Sequence, residues 1–157
     1  MASIVPFVSD EDRTVLDRTA SALESGGHHV DIVRLPVRHA TPTLVPQLTA
    51  YRSLDLTDLA DAVICFDSPA HLVQHPRKIV WHLTRSSAVD STASASLQDS
   101  VRHAESAALD EATRVFAGSE SISRRLREVD QPDRDVLLAP TGLDQQEWSI
   151  VADRLLS

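Results

Sequence analysis

The stretch Asp61–Arg85, DAVICFDSPAHLVQHPRKIVWHLTR, decides how this chain folds. Ala62–Phe66 (AVICF) is an uncharged apolar run, as a strand covered on both faces requires. Asp67-Ser68-Pro69 ends it and is expected to open a helix. Asp and Ser accept orphan amide hydrogens there, and Pro suits the first helical position. On that expectation Asp67 is a helix cap, and His75-Pro76 closes the helix. Lys78–Leu83 (KIVWHL) then starts a second buried strand. A polar turn at the end of a parallel strand is where open α/β sheets hold ligands.

The same alternation runs outward in both directions. Ile4–Val8 (IVPFV) is a short strand whose Pro6 suits an edge or a bulge. Ser9-Asp10-Glu11 begins a helix with Val15, Leu16, Thr19, Ala20 and Leu23 along one stripe, ending at Gly26-Gly27. Val30–Leu35 is a strand, Arg38–Thr43 a loop, and Leu44–Leu59 one or two short helices. Downstream, the Ser/Ala-rich Ser86–Ser96 reads as a loop and Leu97–Ala112 as a helix. Arg114–Ala117 is a strand, Ser119–Val129 a helix, Asp130–Arg134 a turn and Val136–Ala139 the last strand. Asp144 caps a terminal helix bearing Trp148, Val151, Leu155 and Leu156. Strands and helices in alternation predict an α/β fold: a single Rossmann-like, doubly wound, mostly parallel sheet of about six strands with helices on both faces.

At 157 residues the chain has the length of one domain. A net charge of −8 argues against nucleic acid or an anionic membrane surface as the main partner. No stretch approaches the roughly 18 apolar residues that a membrane span needs. The N-terminus lacks the basic region of a signal peptide, and Asp10-Glu11-Asp12 interrupts its apolar start, so a cytoplasmic location is expected. The lone Cys65 lies within an apolar strand and reads as a small buried hydrophobe.

No GxGxxG follows the first strand and no GxxxxGK[ST] occurs, so no nucleotide cofactor is expected. Among seven histidines, His71 and His75 are four apart and would share a helix face, with His82 as a third metal ligand. Pro76 spoils that face, so no metal site is expected, and surface or capping roles are the simpler reading. Asp67 and His82 are the acid–base candidates, because both fall at the strand ends where ligands sit. Ser68, Ser86 and Ser119 lack the surroundings of a nucleophile elbow. Arg77-Lys78 and Arg124-Arg125-Arg127 are candidate anion sites, the second cluster more simply a solvated helix face.

Several blocks in fixed order carry a resemblance. Pro69–Leu83 (PAHLVQHPRKIVWHL), Ala108–Leu126 (ALDEATRVFAGSESISRRL), Asp135–Pro140 (DVLLAP) and Tyr51–Thr57 (YRSLDLT) resemble the N-terminal, acceptor-side domain of bacterial GT-B glycosyltransferases of the family 4 type. The similarity spans Tyr51–Pro140 and implies that residues 1–157 form one such domain, with 146–157 as a terminal helix. It implies a ligand edge built from Ser9, Asp10, Asp67, Ser68, His82, Thr84, Arg85 and Ser119, and a sugar or other small-molecule acceptor as ligand.

Three departures qualify what the resemblance implies. The donor-binding C-terminal domain of such enzymes is not among these residues. Ser9-Asp10-Glu11-Asp12 stands where relatives carry a glycine-rich loop, and Thr84 where they carry a histidine, with His82 two residues earlier. The expectation is therefore a ligand-binding or accessory module that does not transfer a sugar alone. The alternative is the acceptor-binding half of a split glycosyltransferase. A glycosyltransferase or donor-domain chain is the partner expected, and self-association or the terminal helix would cover the ligand edge. Trp148 belongs either to that cover or to the core.

Overall fold

The computed structural model describes residues 2–6, 10–35, 41–83, 94–128, 135–140 and 144–157. In chain order its elements are β1 (Ala2–Pro6), α1 (Asp10–Ser25), β2 (Asp31–Leu35), α2 (Thr41–Arg52), β3 (Val63–Phe66), β4 (Lys78–His82), α3 (Ala95–Asp110), β5 (Arg114–Ala117), α4 (Glu120–Glu128), β6 (Asp135–Val136) and α5 (Gln145–Leu156). Strands and helices alternate as the sequence pattern requires, in an α/β fold. The hydrogen-bonded strand order is β2-β1-β3-β4-β5-β6, and every pairing is parallel. The winding direction reverses between β1 and β3, so the crevice outside their carboxyl ends is the topological switch point.

Each central strand buries both faces, which is why AVICF and KIVWH carry apolar residues at consecutive positions. Side chains alternate across the sheet. Ile64, Phe66, Ile79, Trp81 and Phe116 pack with Leu16 and Leu23 of α1 and Trp148, Val151 and Leu155 of α5. Val63, Cys65, Val80 and Val115 pack on the opposite face with Leu48 and Tyr51 of α2, Leu72 and Val73, and Val101 and Leu109 of α3. Full burial of each large side chain contributes about 1.5–3 kcal/mol. Trp148 thus belongs to the core, at 2% exposure. Cys65 is buried there too, and desolvation pushes its thiol up to about 12.

Several boundaries differ from expectation, each for a local reason. The helix expected after Phe66 shrinks to a single 3-10 turn, Ala70–Leu72, that ends before His75. Thr41–Thr43 belong to α2 rather than to a loop, since a proline at position 42 fits a first helical turn. No second helix fills Leu54–Leu59. There the backbone pairs with the β3–β4 connection, through Gln74 N to Leu54 O at 2.9 Å and Leu56 N to Gln74 O at 3.0 Å. Ala95 and Ser96 are helical because the Ser94 hydroxyl caps α3. The strand expected over Val136–Ala139 is only Asp135–Val136; the Leu137 carbonyl instead accepts the Trp81 indole at 2.9 Å. β1 lies two residues earlier than the Ile4–Val8 expectation, whose Phe7 and Val8 fall outside the described residues. So do the segments 86–93 and 130–134, expected as loop and turn.

Candidate ligand-binding site

Asp67 follows β3 directly and adopts φ 55°, in the left-handed region that Asp tolerates better than most residues. This turn aims its carboxylate sideways rather than along the chain. Oδ1 accepts the Leu83 amide at 2.8 Å and lies 3.8 Å from His82 Nδ1. The Asp67 amide donates to the Trp81 carbonyl at 3.3 Å. Asp67 therefore clasps the end of β3 to the end of β4. The expected capping role is overturned: the 3-10 turn has Pro69 at its cap position and no side-chain cap.

His82 is the last residue of β4 and, by strand alternation, shares the α2/α3 face with Lys78 and Val80. Beneath it lies His71 from the 3-10 turn, with ring centroids 5.7 Å apart in an edge-on arrangement. Both rings are buried, at 8% and 1% exposure. The expectation of surface or capping histidines thus fails at position 71. His71 Nδ1 lies 3.4 Å from the Asp67 carbonyl oxygen. Burial first, and the neighbouring His82 second, push the His71 imidazole down to about 3, so it is neutral. The Nε2 atoms of both rings are buried and have no hydrogen-bond partner among the described residues.

A second layer supports this pair. Lys78, fully buried at the start of β4, donates from Nζ to the carbonyls of His71 at 2.9 Å and Val73 at 3.2 Å. Its charge lies 3.7 Å from Glu111, which a bidentate Arg52 also holds. Burial keeps the Lys78 ammonium below its ordinary value, with Glu111 among the groups that oppose the shift. Lys78 is accordingly a brace for the histidine turn and no part of an anion site. Ser68 donates to Glu105 of α3 at 2.5 Å, which ties the same turn to the helix above it. At β5, the Gly118 amide donates to the His82 carbonyl at 2.6 Å.

Asp67, Ser68 and His82 therefore come together as expected. Ser119 does not join them through its hydroxyl, which caps α4 by accepting the Ile122 amide at 3.2 Å. Asp10 opens α1 next to the switch point, while Ser9, Thr84 and Arg85 lie outside the described residues. His71 and His75 share no helix face, since the 3-10 turn ends at Leu72. His75 instead staples a turn, with Nε2 2.8 Å from the Ala60 carbonyl oxygen and Nδ1 accepting the Arg77 amide at 3.0 Å. No group of three or more metal-ligating side chains occurs among the described residues. No helix is long and apolar enough to cross a membrane, again among the described residues.

The sequence pattern did not single out Glu105. A signal was present: Glu105 falls on the inward stripe of α3 with Val101, Ala108 and Leu109. A carboxylate on such a stripe needs a polar partner inside.

In chemical terms the edge offers an imidazole beside a carboxylate and a second, neutral imidazole, next to a hydroxyl–carboxylate tie. In comparisons with known proteins, the chain matches no protein-family model, no curated protein and no solved structure.

Proposed function

We propose that this chain is a ligand-binding module resembling the acceptor-side, Rossmann-like domain of a GT-B glycosyltransferase, and that it does not transfer a sugar by itself. The observation that carries this is the Asp67–His82 pair at the carboxyl ends of β3 and β4, with two buried imidazole Nε2 atoms beside it. Buried polar atoms are ordinarily satisfied, and at the ligand edge of an α/β sheet the natural partner is a ligand. The Asp67 carboxylate is committed to holding two strand ends, which suits a binding role better than proton transfer. A polyhydroxyl ligand of monosaccharide size matches an edge that offers hydrogen-bonding side chains and no glycine-rich phosphate cradle.

A split-enzyme role is the second reading, favoured by one feature. A carboxylate lies 3.8 Å from His82 Nδ1, and closing that gap to hydrogen-bond distance would orient a general base. A donor-domain chain or a complete glycosyltransferase would then cover the edge; in the binding-module reading, self-association does so.

The test is a titration of the ring-15N-histidine-labelled protein with a panel of monosaccharides. Selective shifts at His71 and His82 are expected, with the exposed His28, His29 and His103 unmoved. Shifts confined to the exposed rings, or none, would remove the binding reading. Co-purification of a donor-domain chain, with sugar transfer by the pair and by neither chain alone, would establish the split enzyme.

A further inference from the structure

Resting on the binding site proposed above, we infer that its ligand is anchored through a primary amine, as in an amino sugar or an amino alcohol, and not through a phosphate or carboxylate. The inference follows from which atoms are left to bind. A carbonyl oxygen only accepts hydrogen bonds, so His71 Nδ1, facing the Asp67 carbonyl at 3.4 Å, carries the ring hydrogen. The neutral ring then has only a lone pair at Nε2. The Nε2 of His82 is a second buried ring nitrogen in the same cluster, and the Asp67 carboxylate oxygen lies 3.8 Å from the other nitrogen of that ring.

A buried acceptor, the His71 Nε2, thus lies in a cluster with two carboxylates, and an ammonium group is the ligand chemistry made only of donors. The surrounding charges agree with a cation. Asp67 and Glu105 bring carboxylates to the turn that carries the histidines. The nearest cation, Lys78, is turned to two backbone carbonyls and Glu111, and Arg52 is paired with Glu111 as well. His71 supplies no positive charge, being neutral across the physiological range. An anion would meet the His71 lone pair and two carboxylates at this turn.

The experiment titrates the ring-15N-histidine-labelled wild-type chain at pH 7.5 with glucosamine, N-acetylglucosamine, glucose, glucose 1-phosphate and ethanolamine. Glucosamine is expected to shift the Nε2 resonances of His71 and His82 and to bind at least tenfold more tightly than glucose or N-acetylglucosamine. Glucose 1-phosphate should leave both rings unmoved. Equal affinity for glucose and glucosamine would overturn the amine inference while keeping the sugar site. Shifts with ethanolamine but with no sugar would keep the amine and remove the sugar. Binding of glucose 1-phosphate at these rings, or no shift with either amine, would overturn the inference. The Glu105→Gln variant, which retains a partner for Ser68, is expected to weaken glucosamine more than glucose.

Discussion

The Asp67 carboxylate accepts the Leu83 amide at 2.8 Å across the ends of two adjacent strands, and the same oxygen lies 3.8 Å from the His82 imidazole. One side chain therefore both locks the sheet edge and sets a carboxylate beside the ring that the candidate site depends on. Structural and binding roles can be separated by substitutions that preserve one of them.

Asp67→Ala removes a buried, charge-assisted bond and leaves the Leu83 amide without this partner, a loss of about 1–3 kcal/mol. Asp67→Asn keeps an acceptor oxygen and suits the left-handed backbone, so it should retain most of the stability. It should nevertheless alter the His82 ring, because the charge facing Nδ1 is gone. Urea unfolding of the two variants, with histidine-ring NMR, tests this. An alanine variant as stable as wild type would refute the clasp.

Acid sensitivity follows from His71. The folded ring resists protonation down to about 3, whereas the unfolded ring titrates near the ordinary 6.5. Below pH 6.5 the unfolded chain binds the extra proton, so stability is full above that value and falls as pH drops towards 3. The slope from this one group is at most about 1.4 kcal/mol per pH unit. His71→Asn keeps a donor for the Asp67 carbonyl and removes the titration. Its stability should fall less between pH 7 and pH 5 than that of wild type; identical slopes would exclude His71 as the cause.

Gly118 permits the close approach of β5 to the end of β4. A Cβ there would meet the His82 carbonyl oxygen at 2.9 Å and the Leu83 Cα at 3.2 Å, both backbone atoms. Gly118→Ala should cost about 1–3 kcal/mol and displace His82 from Asp67. A thermal melt compared with wild type measures the first effect, and the His82 ring resonances report the second.

Trp81 holds the last strand through its indole, which donates to the Leu137 carbonyl at 2.9 Å. Trp81→Phe keeps most of the buried ring but leaves that carbonyl without the indole, so a loss of about 1–3 kcal/mol is expected. Trp81→Ala adds a cavity and should cost about 3–5 kcal/mol. Guanidinium unfolding monitored by the remaining Trp148 gives both values, and equal losses would mean that the indole bond, not packing, dominates.

Local signals were enough to read the alternation of strands and helices. Apolar runs such as VICF and RVFA, the stripe of α1 and the Asp144 cap lie within a few residues of the features they specify. They also placed Asp67 and His82 at one edge, since parallel strands present their carboxyl ends together. What the tertiary structure decided were contacts between residues distant in sequence. Leu54–Leu59 lost its helix to pairing with Gln74, and Val136–Ala139 lost most of its strand while the Leu137 carbonyl took the Trp81 indole. Asp67 bonds sixteen residues ahead instead of capping its own turn, and Ser68 meets Glu105 thirty-seven residues on. Local propensity is weak against such bonds, because a buried polar group left unpaired costs more than a helix cap returns. The alternation was written in neighbours, and the site in partners that only the folded sheet brings within reach.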